Sequence, residues 1–442
     1  MFALHEKSSH GTLGRSPQSI EAATTTYAYD AHDNLIRVTD GDGRVTEYLY
    51  DDFGQLVAVR SPDTGLTKYR YDVAGNLVWK EEADGTVTKY EYDVRNRLSR
   101  QFFGYDAQNP PTVADIEWYY DTAQHGATGA SCPDGERSFE QALVQGRLAA
   151  VRHEAGTVYY SYSPFGEVVA VYEQDGTSFD VCLLAITRYS YDSSARLTSV
   201  ALPAGRIVRY VFEPGDLYAS RIELDTPDAA GGVASTSVVA ENITYDVDGK
   251  VSGYTSGAMS FAGAFDLAGQ ALTRDYRVGG ASAFTWDTSD RDGSGNILSA
   301  ADTMAGKDLS LTYDGQDRLA SAQGTILRGY QNCSYLYDAA GNRSTESCYG
   351  HPVTYDYETT AQSAPTNRLG AISWLADDLS SCGGPQTLMT RDYDVDVLGR
   401  ATNGYLRKFP LDLDAFTMTY GPSGRVASVT TPGGAYNYTY DH

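Results

Sequence analysis

Long apolar runs are missing from this sequence. No stretch of 18 or more apolar residues occurs, so no membrane-spanning helix is expected. Basic residues are also short: 34 Lys and Arg stand against 58 Asp and Glu, a net charge of −24 with a pI near 4.6. A field of that sign repels phosphate backbones, which argues against a nucleic-acid partner. Methionine (5) and tryptophan (4) are scarce. The five cysteines, Cys132, Cys182, Cys333, Cys348 and Cys382, include no C-x-x-C pair, so no zinc site is expected. The seven histidines form no His-Glu-x-x-His, and no Gly-x-Ser-x-Gly elbow surrounds a serine. Nothing therefore points to an enzyme or to a cofactor. The N-terminus lacks the basic-then-apolar pattern of a leader, so export through the general pathway is not written in the chain.

Tyrosine and glycine, by contrast, are abundant, at 35 and 44 residues. The tyrosines fall in a repeated phrase: Tyr27-Ala-Tyr29-Asp30, Tyr48-Leu-Tyr50-Asp51, Tyr69-Arg-Tyr71-Asp72 and Tyr90-Glu-Tyr92-Asp93, with a constant spacing of 21 residues. A fixed period means stacked supersecondary units, which grow by addition rather than by new cores. In one unit, Thr86, Thr88, Tyr90 and Tyr92 alternate with Val87, Lys89 and Glu91, the period of a strand with two faces. Three residues after each aspartate stands Asp33, Gly54, Gly75 or Asn96, residue types that tolerate positive φ and so mark a reversal. Leu35, Leu56, Leu77 and Leu98 then open a second strand, which ends at Asp42-Gly43, Pro62-Asp-Thr-Gly65 or Asp84-Gly85. Each unit is two strands and two reversals. Its fixed aspartate is expected to accept backbone N–H bonds in the turn rather than to act as a catalytic carboxylate. The tyrosine rings are expected to stack from unit to unit, each hydroxyl finding a polar partner.

Along the chain, residues 1–22 are polar and aperiodic and are expected to be disordered or a boundary segment, and 23–102 form the clean array. An insertion, 103–145, carries the stop signal Asn109-Pro110-Pro111, and degenerate repeats run through 146–442. Legible later units include Tyr189-Ser-Tyr191-Asp192, Tyr245-Asp246 with Gly249, Phe265-Asp266 with Gly269, Tyr313-Asp314 and Tyr393-Asp394 with Gly399. Tyr335-Leu-Tyr337-Asp338 with Gly341 is another, whereas Tyr420 with Gly424 lacks the aspartate. The stretches 223–241 and 373–389, rich in Ala, Gly, Ser and Asp, read as surface loops. Tyr438-Thr-Tyr440-Asp441-His442 opens a further unit and stops, so the C-terminus is expected to be truncated.

Two stretches carry possible chemistry. Asp290-Arg-Asp292-Gly-Ser294-Gly295-Asn296 imitates the first half of a calcium loop, but Ala301 occupies the position of its bidentate glutamate, so a turn with an inserted residue is the preferred reading. Cys333 and Cys348 lie almost symmetrically about the turn at Ala340 and Gly341. They stand near one another on paired strands, either as a disulfide or as two core thiols.

The phrase Tyr69-Arg-Tyr71-Asp72-Val-Ala-Gly75-Asn76-Leu77 resembles the YD repeat of the Rhs family, over roughly residues 25–442. That family includes bacterial polymorphic toxins, the C components of insecticidal toxin complexes, cell-wall-associated proteins and animal teneurins. The resemblance implies an all-β fold: a β-hairpin ribbon that spirals into part of a hollow shell. It also implies a non-catalytic scaffold that encapsulates or delivers a toxin between competing bacteria, secreted or displayed through a specialised system. The partners would then be a C-terminal toxin cargo or the remaining shell segments of a longer polypeptide. The Asp-Pro-x-Gly signature at which toxin-bearing members cleave themselves has no counterpart here, since the sequence holds no Asp-Pro pair. The alternative implied role is a cell-surface adhesion or carbohydrate-binding module, with cell-surface glycans as partners.

Overall fold

Alternation of β-branched and aromatic residues with polar ones, punctuated by turn residues about every ten positions, produces antiparallel hairpins. The computed structural model describes residues 24–41, 43–122, 139, 141–176, 184–228, 232–302, 307–324, 332–348, 351–359, 365–376, 387–395, 401–408, 411–420, 426–431 and 434–437. Residues 1–22, Cys132, Cys182, Cys382, Gly399, Gly424 and the segment 438–442 lie outside the described residues. Among the described residues there is no helix.

Two compact units divide the chain. The first comprises Met1–Asp115, Tyr313–Ala322 and Gly329–Tyr440. The second comprises Ile116–Thr312, Gln323–Arg328 and Asp441–His442.

The first unit opens with eight strands: β1 (Thr26–Tyr29), β2 (Leu35–Thr39), β3 (Val45–Tyr50), β4 (Leu56–Ser61), β5 (Gly65–Tyr71), β6 (Leu77–Glu81), β7 (Val87–Tyr92) and β8 (Leu98–Phe102). Consecutive strands pair antiparallel from β1 to β8, a meander in which the short turns dictate the pairing. The register holds one surprise. In β5 and β6, Lys68 faces Glu81, Tyr69 faces Lys80 and Arg70 faces Trp79, but Tyr71 faces Leu77, so Val78 is an extra residue. The same bulge precedes the second tyrosine in β1/β2, β3/β4 and β7/β8. A bulge increases local twist, and here it turns the end of each hairpin at the same point of every repeat. Both tyrosines of a phrase share one face, and the other face carries directly opposed charges: Arg37 to Glu47 at 2.9 Å and Lys68 to Glu81 at 2.8 Å.

After β8 the chain folds back onto the same sheet. Tyr105 donates its N–H to the carbonyl of Val87 at 2.9 Å. Its ring packs edge-on against Trp79 at 5.6 Å and Phe102 at 5.9 Å, with the Lys89 ammonium 4.8 Å from its centre. A more distant contact closes on Arg44, whose side chain is only 5% exposed and reaches Asp40 at 3.4 Å and Asp338 at 3.5 Å. Within the first unit, that pair ties the opening repeats to one near the other end of the sequence.

The second unit centres on Phe139, Ala150, Tyr159, Ala170, Tyr172, Leu184 and Ile186, against which Tyr119 packs. Phe139 comes from the stretch read as a polar insertion. Its ring lies 5.2 Å from Tyr159 and 4.8 Å from Tyr172. Two neighbours in the sequence fix it: Gln141 donates to the carbonyls of Ala149 and Tyr160, and Ala142 exchanges bonds with Ser161 and Tyr162.

The reading of 223–241 and 373–389 as loops is corrected where these stretches are described; 229–231 and 377–386 lie outside the described residues. Arg221–Pro227 and Val233–Tyr245 are paired strands, and Pro365–Ala376 and Thr387–Val395 are another pair. Small-residue content suggested loops, but in the first pair the β-branched Val233, Thr236, Val238 and Val239 suit a strand face and outweigh it.

Candidate functional site

The aspartate of each repeat is the pivot of its turn. Asp72 is typical: its Oδ1 accepts from the backbone N–H of Ala74 and of Asn76, both at 2.9 Å, and its Oδ2 from Asn76 Nδ2 at 2.9 Å. Beneath it the backbone closes a three-residue turn, Gly75 N–H to the Asp72 carbonyl at 3.1 Å and Asp72 N–H to the Asn76 carbonyl at 2.9 Å. The same pair of N–H donors, from residues two and four beyond, reaches Oδ1 of Asp30, Asp51, Asp93, Asp192, Asp246, Asp266, Asp292 and Asp314. At Asp338, Asn342 donates its backbone N–H to Oδ1 and its side-chain amide to Oδ2. These carboxylates are occupied by turn chemistry.

The calcium-like stretch follows suit. Asp292 accepts from Ser294 and Asn296, and Gly295 has φ +89°. It is a repeat turn.

The third residue after the aspartate is left-handed throughout: Asp33 (φ 63°), Gly54 (77°), Gly75 (86°), Asn96 (61°) and Gly341 (94°). Ala195 occupies this place at φ 59°, where a Cβ costs about 1–2 kcal/mol. Ala195→Gly is accordingly expected to stabilise the second unit by about 1 kcal/mol, read as a higher urea midpoint.

Two sets of bonds then lock one repeat to the next. From the third phrase onward, the second tyrosine recurrently donates its hydroxyl to the carbonyl that opens the second strand of the preceding hairpin. Tyr71 bonds Leu56 at 2.9 Å, Tyr92 bonds Leu77 at 2.9 Å, Tyr162 bonds Leu148 at 2.7 Å and Tyr337 bonds Leu319 at 2.8 Å. Tyr191 and Tyr357 do the same to Val168 and Arg343, and Tyr245 bonds the carbonyl of Ala219, just ahead of the strand Arg221–Pro227. Each such bond contributes about 1 kcal/mol. Burial pushes the Tyr71 and Tyr92 hydroxyls above their ordinary values, which keeps the donor proton in place.

The second set uses the fourth residue after the aspartate. Asn76 Nδ2 reaches Asn96 Oδ1 at 3.0 Å, and Arg318 reaches the carbonyl of Asp338 at 3.1 Å. Arginines at this place also hold their own aspartate and lie over the next aromatic ring: Arg196 bonds Asp192 at 2.7 Å and sits 4.3 Å from the Phe212 ring, and Arg318 bonds Asp314 at 2.7 Å and sits 4.5 Å from Tyr337.

Asp30, Asp72 and Asp292 all lie below the ordinary aspartate value of 3.8, first because Asn34, Asn76 and Asn296 hydrogen-bond their ionised forms. Folding favours the charged carboxylate here, so the contribution is whole above the ordinary value and is lost as the pH falls through the lowered folded ones. Stability measured by urea titration is therefore expected to be flat near neutrality and to fall below about pH 4.

Cys333 and Cys348 stand directly opposite on Cys333–Tyr337 and Arg343–Cys348, with Cα atoms 4.0 Å apart and sulfurs bonded at 2.02 Å. That bond staples the hairpin whose turn Asp338 meets Arg44. Sequence reasoning placed the aspartates, the positive-φ residues and the tyrosines. It missed the carbonyl partner of each hydroxyl, the bulge, and the exposed apolar residue just after the aspartate, as at Val73, Val94, Val247 and Leu267.

A turn cradle, a hydroxyl-to-carbonyl ladder and a side chain reaching the next turn, all at one period, define a tandem β-hairpin repeat protein. Residues 21–45, 29–66, 50–81 and 71–101 match the RHS Repeat family, so the N-terminal region is an RHS-repeat array. No curated protein matches the chain. Among solved structures it is similar to the TcdB2-TccC3-Cdc42 crystal structure, at 15% identity and a TM-score of 0.54 over 92% of this chain and 23% of that one. It is similar also to TcdB2-TccC3, at 14% identity and a TM-score of 0.54 over 92% and 26%. A third is the Tc holotoxin pore of Photorhabdus luminescens carrying a TccC3 mutation, at 13% identity and a TM-score of 0.54 over 92% and 24%. The likeness is one of fold: the all-β hairpin-repeat fold implied by the resemblance is the fold found. The chain spans about a quarter of the length of these structures.

Proposed function

We propose that the chain is a non-catalytic wall segment of an Rhs-type shell that encloses or delivers a toxin between competing bacteria, and that it leaves the cell through a specialised export system. The observation that carries this reading is the repeat-to-repeat lock: the recurrent carboxylates are spent on closing turns and the tyrosine hydroxyls on joining successive hairpins. Its partners are then a toxin cargo and the rest of a longer polypeptide. The shared fold with chains from toxin complexes supports the same reading.

One feature favours a second reading, a carbohydrate-binding module. In the second unit Tyr254, Phe261, Tyr276 and Phe284 form a cross-strand row with ring centres 5.2, 4.9 and 6.0 Å apart, a surface on which sugar faces can stack. The charge of −24 disfavours polyanionic glycans for that row.

Protease treatment of the native assembly, purified through an antibody to the repeats, separates the two. The shell reading expects a co-purifying polypeptide that is digested only after the wall is denatured. An assembly without such a polypeptide, which instead binds neutral glycans and loses them with Phe261→Ala, would replace it with the second.

A further inference from the structure

The strand Val233–Tyr245 overhangs its neighbour. Glu241, Thr244 and Tyr245 pair with Thr255, Gly253 and Val251 of the strand Val251–Ser256. Residues 233–240, among the described residues, pair on one side alone, with Arg221–Pro227. The other side is an open edge, and residues 233–239 are exposed, Val233 at 52%, Val238 at 45% and Val239 at 43%.

An open edge offers a row of backbone N–H and C=O groups to any strand that can reach it, and folded proteins usually blunt it with charge or proline. Here the segment Val233-Ala-Ser-Thr-Ser-Val-Val-Ala240 has no charged residue, proline or glycine, in a chain of net charge −24. Only two irregularities interrupt it, at Ala234 and Val239, one on either side of the centre. Its order also reads almost alike in both directions about Thr236. Turned on a two-fold axis there, Val233 meets Val239, Ala234 meets Val238, Ser235 meets Ser237 and Thr236 meets itself.

We propose that this edge is a self-association surface, at which two copies of the chain pair antiparallel through residues 233–239 about a two-fold axis at Thr236. A two-fold contact requires one patch to complement itself, and the near-palindrome supplies that: apolar β-branched residues meet apolar ones, hydroxyls meet hydroxyls, and no like charges are opposed. The inference is independent of the shell reading, since it concerns an edge outside the repeat lock. The contact is small, so the association is reversible. The rest of the chain is acidic, so added salt strengthens the dimer by screening repulsion between the copies.

Sedimentation velocity of the full chain over a range of concentrations tests this. The wild type is expected to move from monomer to dimer as concentration rises, more readily at higher salt. A variant carrying Ser235→Lys with Ser237→Lys sets lysine opposite lysine and is expected to stay monomeric, as is one carrying Ser235→Glu with Ser237→Glu. An equimolar mixture of the two variants is expected to form a mixed dimer. Both positions are exposed serines, and unchanged far-UV circular dichroism confirms the fold of each variant. A wild type that is monomeric throughout overturns the proposal, and so does a dimer that both variants retain.

Discussion

Phe139→Ala is expected to cost the second unit about 3–5 kcal/mol, the range for a fully buried phenylalanine whose site cannot collapse. Phe139 is 3% exposed and meets two tyrosine rings edge-on, Tyr159 at 5.2 Å and Tyr172 at 4.8 Å. Neither tyrosine can follow it into the gap, because each is fixed in a strand paired on both sides. Part of the loss comes from the aromatic pairs themselves, about 0.5–1.5 kcal/mol each beyond their area. Urea unfolding would show a lower midpoint with an unchanged slope. A shift worth under about 1 kcal/mol would mean that Phe139 does not fill the core of this unit.

Gly156→Ala is expected to cost about 3 kcal/mol or more, for a reason that lies in the backbone. Gly156 has φ +157°, and a Cβ there would lie 1.9 Å from the carbonyl oxygen of Gln174. That oxygen belongs to the strand Val168–Asp175, whose register against Gly156–Tyr162 runs from Gly156 opposite Asp175 to Tyr162 opposite Val168. Relief would require shifting the pairing. Gly85→Ala is the control: it has φ +84° but nothing within 4 Å of the added atom, so only the left-handed strain of about 1–2 kcal/mol remains. Equal losses at the two sites, compared by thermal or urea unfolding, would contradict the close approach at Gly156.

The repeat was legible because its signals are local. Aspartate, a residue fit for positive φ and the leucine that follows lie within five positions, so their turn could be derived before any contact was known. The partner of each tyrosine hydroxyl was not. Tyr71 and Leu56 are 15 residues apart, and only the antiparallel return of the chain together with the bulge at Val78 brings the carbonyl under the ring. A bulge leaves no compositional trace when the extra residue is another valine. Arg44 and Asp338 belong to turns far apart in the sequence, and neither residue type announces such a partner. Phe139 was passed over because its neighbours are polar, yet Gln141 uses its polarity to bridge the carbonyls of two strands and so holds the ring in place. The strand Val233–Tyr245 was hidden by a composition that loops share.

Hydrogen exchange on Asp72→Ala, read peptide by peptide against the wild type, tests the coupling of repeats most directly. Asp72 serves the N–H groups of Ala74 and Asn76 and the side chain of Asn76, and Asn76 reaches on to Asn96 while Tyr71 reaches back to Leu56. The expected result is faster exchange that spreads from the turn at 72–76 into the hairpins on either side, from Leu56 to Asn96. Faster exchange confined to the altered turn would show that the repeats stand independently, and that the lock between them is not what makes the ribbon one structure.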